Sequence, residues 1–202
     1  MNTIQKLTEL FARFPGIGPR QAGRFVYFLL SSPHGYRTEL ISLISRLKDD
    51  IKVCTSCFRY HSGKNPLCTV CADTHRDPSL LMLVLKDVEL DALERSKSYR
   101  GYYFVLGASV PILDKNPGGT IREKELHKAV MNRAASGLTE IILAFPVNPE
   151  GEHTANYVRR SLSPLIEKHG LIVSVLGRGL STGSELEYSD AETIKSAFQN
   201  RH

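Results

Sequence analysis

The chain's four cysteines lie within 18 residues of one another, as two Cys-x-x-Cys pairs separated by ten residues. A two-residue gap lets both thiolates of a pair reach one ion, and two such pairs supply four soft ligands in tetrahedral geometry, which suits Zn²⁺. Because sulfur fills all four positions, the predicted zinc site is structural rather than catalytic. The predicted ligands are Cys54, Cys57, Cys68 and Cys71. A redox pair and free buried thiols remain the alternatives.

A glycine-rich turn, Pro15-Gly16-Ile17-Gly18-Pro19, separates two segments with helical spacing of apolar residues. Glycines allow positive φ angles and let a phosphate approach the backbone closely, and the amides at the next helix N-terminus can hold phosphate oxygens. Arginines flank the turn on both sides. The predicted DNA contacts, which carry little sequence information, are Arg13, Gly16, Gly18, Arg20 and Arg24. The alternative is a plain helical hairpin with a glycine turn.

The charge of the chain is concentrated at one end. Residues 1–78 contain 11 Lys/Arg and 6 Asp/Glu, whereas residues 79–202 contain 15 of each, so the net charge of +5 belongs to the first third. This distribution favours an acidic polymer such as nucleic acid as the partner of that third. A solvated surface that happens to be basic is the alternative.

Composition predicts a soluble, cytosolic globular protein, with 42% hydrophobic and 23% charged residues. The longest uninterrupted apolar run, Leu80–Leu85, is too short to span a bilayer. The N-terminal residues have no apolar signal core.

The predicted secondary structure that must position the cysteines and the glycine turn changes in type near residue 79. Up to about residue 50 the apolar spacing predicts helices, whereas beyond residue 79 short apolar runs alternate with helical stretches, which predicts an α/β fold with a mostly parallel sheet. The predicted strands are Leu80–Leu85, Tyr102–Leu106, Glu140–Phe145 and Leu171–Leu176, and the predicted helices are about 88–96, 121–136 and 151–168. Thr120 with Glu123, and Ser189 with Glu192, form capping-box patterns ahead of helices.

The order of these parts resembles the RecR family of bacterial recombination mediators over essentially the whole chain. The segment Gly177–Asp190 is similar to that family's C-terminal signature, and Glu150-Gly151-Glu152 matches its Glu-Gly-Glu stretch. Ser181, Ser184 and Glu185 depart from the signature, as does the loop at residues 114–120, so the chain looks like a diverged member.

The resemblance implies four parts. They are a helix-hairpin-helix DNA-binding region at 1–53, a four-cysteine zinc finger at 54–71, a Toprim domain at 79–174 and a C-terminal oligomerisation segment at 175–202. Toprim enzymes bind Mg²⁺ through a glutamate after the first strand and a later Asp-x-Asp pair. Here Leu85 occupies the glutamate position, no Asp-x-Asp follows Phe145, and Asp87 and Glu89 are the nearest acids to the first. The expectation is therefore a protein that is not an enzyme.

The function implied by the resemblance is DNA repair by homologous recombination. RecR proteins act with RecO, and often RecF, to help load RecA onto single-stranded DNA coated by single-strand-binding protein, and they assemble into dimers and ring-like tetramers. Glu150 and Glu152 are expected to contact a partner. Localisation is expected to be cytoplasmic, at the nucleoid, with no membrane partner. Two rivals remain: a Toprim nuclease or primase-like enzyme using Mg²⁺, and a zinc-dependent interaction module without a DNA role.

Overall fold

The computed structural model describes residues 1–113 and 117–176, and divides into two compact units, residues 1–51 and residues from 52 onward. The capping pattern at Ser189 and Glu192, and the predicted oligomerisation segment from residue 177 on, lie outside the described residues.

The first unit consists of three helices, α1 (Thr3–Phe11), α2 (Pro19–Ser31) and α3 (His34–Asp50). Asn2 and Gln5 form a capping box at the start of α1, which satisfies backbone amides that the helix itself leaves unpaired. Phe11 meets Phe25 edge to face at 6.0 Å between ring centroids, which joins α1 to α2. None of the residues of α3 is buried.

A two-stranded sheet of β1 (Ile51–Val53) and β2 (Tyr60–Ser62) starts at the boundary of the two units, and the short helix α4 (Thr69–Ala72) follows it. The main sheet contains β3 (Leu80–Val84), β4 (Tyr102–Val105), β5 (Glu140–Leu143) and β6 (Ile172–Val175), in the order β4-β3-β5-β6 with every pair parallel. The intervening helices are α5 (Asp87–Ser96), α6 (Pro117–Thr120), α7 (Glu123–Ala134) and α8 (Pro149–His169). The predicted α/β class with a parallel sheet is therefore confirmed.

The two faces of this sheet bury different partners, because successive side chains of a strand point to opposite faces. Leu81, Leu83 and Phe104 face a core completed by residues of α7 and α8, including Leu126 and Val158. The alternate residues on β3 and β4 face a second core, which they share with α5 and with the cysteine segment, residues 54–71. Its fully or nearly buried members are Cys54, Cys57, Cys68, Val70, Met82, Val84, Leu90, Tyr103 and Val105.

The cysteine segment also closes one edge of the sheet. β4 is an edge strand, and an uncovered edge presents unpaired backbone groups. The amide of Val105 donates to the carbonyl of Cys57 at 2.8 Å, and Arg122 Nη1 donates to the carbonyls of Phe58 (3.1 Å) and Val105 (2.8 Å). The segment is therefore bonded to the sheet as well as packed on it.

The structure corrects the predicted elements in detail. The four strands are one or two residues shorter than predicted, because Leu85, Leu106, Phe145 and Leu176 continue the apolar runs after the ladders end. The capping box at Thr120 and Glu123 was wrong: Thr120 ends α6, α7 has Arg122 as N-cap without a side-chain cap, and Glu123 accepts from Tyr157 instead. Among the described helices, none is long and apolar enough to cross a membrane.

Candidate functional site

The four cysteine sulfurs form one compact cluster, with all ligand atoms within 4.8 Å of one another. Cys57 Sγ and Cys68 Sγ are 3.6 Å apart. Two sulfurs each about 2.3 Å from a tetrahedral ion are about 3.8 Å apart, so the cluster has the dimensions of such a site. The structure thus brings together the four cysteines that the sequence spacing predicts, and they could hold a metal ion.

Local backbone geometry shapes this cluster. Phe58, which follows the first Cys-x-x-Cys pair, has φ of +63°, a left-handed conformation that is uncommon outside glycine. The turn is fixed by the Phe58 amide donating to Cys54 O at 3.0 Å and by the Cys54 amide donating to Arg59 O at 2.8 Å. Backbone amides also point at sulfur: Cys68 N donates to Cys54 Sγ and Cys71 N donates to Cys68 Sγ, both at 3.4 Å.

The electrostatics of the cluster favour a bound cation. Hydrogen bonding from Cys57, then from Cys71, lowers the pKa of Cys68, whereas hydrogen bonding to Cys68 and burial raise the pKa of Cys57. Without a cation, buried sulfurs this close together cannot all be thiolates, because each added negative charge raises the cost of the next. A divalent ion removes that penalty, so the donor set fits a thiolate-bound metal.

The glycine hairpin joins α1 to α2 as the sequence predicts. Gly16 has φ of +76°, in the left-handed region where a side chain would be strained. Gly18 differs from the expectation of positive φ: it is the extended N-cap of α2, with φ of −84° and no side-chain cap. A Cβ at either glycine would meet no atom within 4 Å, so the space beside both is open.

The three predicted arginine contacts are all exposed on the first unit. Arg20 and Arg24 lie one turn apart on α2, and Arg13 lies in the turn on the other side of the glycines. None forms an ion pair with any of the described residues. Three exposed cations therefore lie in the hairpin and the first two turns of α2, and the amides at the start of that helix can receive phosphate oxygens.

Sequence reasoning did not anticipate how much apolar surface this unit exposes. Ile41, Ile44 and Leu47 of α3 are 65%, 62% and 61% exposed although they follow helical spacing. A groove of about 490 Å³ on the same unit is lined mainly by aromatic residues, including Phe14 and Phe28, with Arg24 beside them. The apolar periodicity predicted the helix correctly but did not show which of its faces is covered.

At the carboxyl end of β3, where the resemblance places a Toprim glutamate, the nearby acids accept hydrogen bonds from backbone amides. Leu85 is almost fully buried. Glu89 accepts the amides of Leu85 (2.7 Å) and Lys86 (3.1 Å), which caps α5. Asp87 accepts the amide of Tyr60 at 2.7 Å, linking α5 to β2. These carboxylates already serve structural roles, and a leucine offers no ligand to a cation.

The Glu-Gly-Glu stretch lies at the start of α8, beyond the carboxyl end of β5. Glu150 and Glu152 are both exposed, and no other predicted site residue lies in this helix. Gly151 is buried, and a Cβ there would lie 2.0 Å from the carbonyl oxygen of Pro146, so only glycine fits. Asn148 caps the helix by accepting the Gly151 amide at 2.7 Å. Gly151 is therefore required for packing, a role that differs from that of the acids beside it and that the sequence pattern did not reveal.

Comparison with known proteins places the chain among bacterial recombination proteins. The family model described as "RecR, C-terminal" matches residues 179–202. The chain is 36% identical over 200 residues to the recombination protein RecR of Frankia alni, covering 98% of this chain and 95% of that protein. It is 35% identical over 198 residues to the RecR of Cutibacterium acnes, with 98% and 94% covered. Similarity of this extent, along nearly the full length of both proteins, shows that the chain belongs to the RecR family.

Proposed function

We propose that this protein is a non-enzymatic, DNA-binding recombination mediator. It acts with RecO, and with RecF as a second candidate partner, to load RecA onto single-stranded DNA coated by single-strand-binding protein. The observation that carries the proposal is the full-length similarity to recombination proteins named RecR. Membership of that family implies a role in recombination and DNA repair, and the finer steps are the content of the proposal.

The glycine hairpin is the proposed DNA contact. The exposed Arg13, Arg20 and Arg24, together with the open surface beside Gly16 and Gly18, support backbone recognition without base specificity. The proposed ion of the four-cysteine cluster is Zn²⁺, which prefers four thiolates in tetrahedral geometry. It would be held by Cys54, Cys57, Cys68 and Cys71 and would stabilise the fold without taking part in a reaction.

The sheet region at residues 79–174 is proposed to be a Toprim domain that has lost its metal-dependent chemistry. The buried Leu85 and the structural engagement of Asp87 and Glu89 support this interpretation over the Toprim nuclease or primase rival. Glu150 and Glu152, exposed beyond the end of β5, are proposed to contact a basic surface of a partner protein.

Assembly into a dimer or ring-like tetramer is proposed through the N-terminal helices and the segment at 175–202. The exposed apolar residues of α3 support the first of these contacts, because contiguous exposed apolar surface marks an interaction site. A ring would bring several hairpins onto one DNA molecule, which raises the avidity of individually weak, salt-sensitive contacts. The proposed location is the cytoplasm, at the nucleoid.

The decisive experiment combines DNA binding with RecA loading. Fluorescence anisotropy on gapped DNA is measured across a salt series for the wild type and for R20E/R24E. If both arginines contact phosphates, the log–log salt slope falls by about 1.4–1.8. The double variant K6E/K48E changes two exposed lysines of the same unit and is expected to leave the slope unchanged.

In the same preparation, the wild type with RecO should accelerate RecA filament formation on protein-coated single strands, and R20E/R24E should not. No acceleration by the wild type would refute the mediator function. Cut or extended strands after incubation with Mg²⁺ would instead favour the enzymatic rival, and an unchanged salt slope for R20E/R24E would exclude the hairpin as the contact.

A further inference from the structure

A basic groove lies in the second unit, between α7 and the cysteine segment. It has a volume of about 680 Å³. Lys124, Lys128 and Arg133 line it, with Glu125 as its acidic side chain and Ser56 on the opposite wall. The overall neutrality of residues 79–202 hides this concentration of charge. Glu123, the other acid of α7, accepts hydrogen bonds from Tyr157 and Ser161 of α8.

One cation of the groove is held in place before any ligand arrives. Arg133 Nη2 donates to Ser56 Oγ at 3.2 Å, and its guanidinium lies 4.0 Å from the centroid of the Tyr102 ring. The side chain is therefore positioned from two elements at once, which reduces the conformational freedom that binding would otherwise remove. Arg133 forms no ion pair within residues 1–113 and 117–176.

The other two cations are exposed and lie one turn apart on the same face of α7. Lys124 and Lys128 likewise form no ion pair with any residue that the structure describes. Like charges at this spacing repel each other, so an anion bound between them would relieve a repulsion that the helix carries by itself.

The extent of the groove decides the class of ligand. Lys124 and Arg133 line opposite edges of the α7 wall and are separated by about 13.5 Å of helix rise, which exceeds the size of one phosphate group. Ser56 and Asn132 add polar groups, and the cations outnumber the single acid three to one. A groove of this length that is lined by donors and cations fits successive phosphates of a nucleic-acid strand. Contacts to phosphates carry little sequence information.

We propose that this groove is a second DNA-backbone site, separate from the glycine hairpin and located on the other unit of the chain. The inference rests on the part of the proposed function that makes the protein a DNA binder, and it does not depend on RecO, RecF or RecA. With two sites per chain, each unit contributes its own phosphate contacts. The affinity for DNA then falls more steeply with salt concentration than it would with the hairpin alone.

The test uses the full-length protein, fluorescein-labelled single-stranded DNA and anisotropy across a salt series. The variant K124E/K128E should lower the log–log salt slope by about 1.4 if both lysines contact phosphates of a single strand. The control R95E/K97E changes two exposed basic residues at the end of α5, on the face of the sheet opposite α7. Neither residue lines the groove, so the control should leave the slope unchanged. Thermal melting of each variant verifies that it is folded.

The outcomes separate this inference from the proposed function. A slope for K124E/K128E equal to that of the wild type overturns the groove as a DNA site, whatever other ligand it holds, while a reduced slope for R20E/R24E keeps the hairpin. A reduced salt slope for K124E/K128E, together with a wild-type slope for R20E/R24E, supports the groove as a DNA site and excludes the hairpin as one. Absence of salt-dependent binding by the wild type overturns both.

Discussion

Removal of the metal from the cysteine cluster is expected to destabilise the main sheet as well as the 18-residue segment that holds the ligands. The segment covers one face of β3 and β4, where it packs against Met82, Val84 and Tyr103, and it closes the β4 edge through the Val105–Cys57 hydrogen bond. Without its ion, the cluster loses the common ligand that holds the segment in that position. Its unfolding would therefore expose part of the second core to water.

The magnitude follows from the hydrogen bonds and the apolar cover that the folded segment provides. Two hydrogen bonds, from Val105 to Cys57 and from Arg122 to Phe58, contribute about 1 kcal/mol each. Because α5 still covers part of this face, we treat the uncovered core as one or two fully exposed apolar side chains, at about 1.5–3 kcal/mol each. The sum is about 5 kcal/mol, which for a unit of this size lowers the melting temperature by about 10–20 °C.

The assay is differential scanning calorimetry of protein incubated with a chelator, with released zinc measured in parallel. The variant C71S removes the least buried ligand with the smallest disturbance of the core, and T69A, an exposed residue of the same short helix, is the matched control. The metal-depleted protein and C71S should both melt early, whereas T69A should melt with the wild type. A sheet transition that stays within about 2 °C of the metal-bound value, once release of the ion is verified, would refute the coupling.

Three further predictions concern stability and pH. G151A should lower the free energy of unfolding by about 2–3 kcal/mol in urea denaturation, since its Cβ would meet the Pro146 carbonyl. E150Q/E152Q removes two charges from the first turn of α8 and should cost about 1 kcal/mol, and equal effects of the two variants would contradict the packing role of Gly151. Burial raises the pKa of Tyr99 and of Tyr103, so their contribution to stability is present below pH ~10 and is lost as the pH rises further. Absorbance at 295 nm should show that these two tyrosines ionise only when the protein unfolds. Titration of all tyrosines before unfolding would contradict this. E94A should cost about 2 kcal/mol by thermal melting, because the largely buried Arg76 guanidinium loses its hydrogen-bonded Glu94 partner and keeps the Asp73 carboxylate at 3.8 Å. D50A, which breaks an exposed ion pair, is the control, and an equal loss of stability in D50A would contradict a special role for the Arg76–Glu94 pair.

The sequence predicted the local features of this protein well because each depends on near neighbours. Two Cys-x-x-Cys pairs determine which four sulfurs meet, and alternating strand and helix patterns determine a parallel sheet. The attachment of the cysteine segment to β4 could not be predicted, since it joins Cys57 to Val105 across 48 residues without any periodic signal. The groove on α7 could not be predicted for a related reason. In the net charge of the sequence, Glu123 and Lys124 cancel each other, whereas in the fold Glu123 bonds to α8 and Lys124 is exposed to solvent.

The hydrogen bonds at the strand ends support the proposal that this sheet is a scaffold rather than a catalyst. A catalytic carboxylate must remain available to a cation at the end of its strand, but Glu89 accepts two amides at the end of β3 and Asp87 binds the backbone of β2. At the end of β5, Asn148 caps α8 and Gly151 lies directly under a carbonyl. Polar groups at these strand ends therefore fix loops and helix starts. The exposed charges at the hairpin, in the groove of α7 and at the start of α8 are the ones proposed here to contact a polymer or a partner protein.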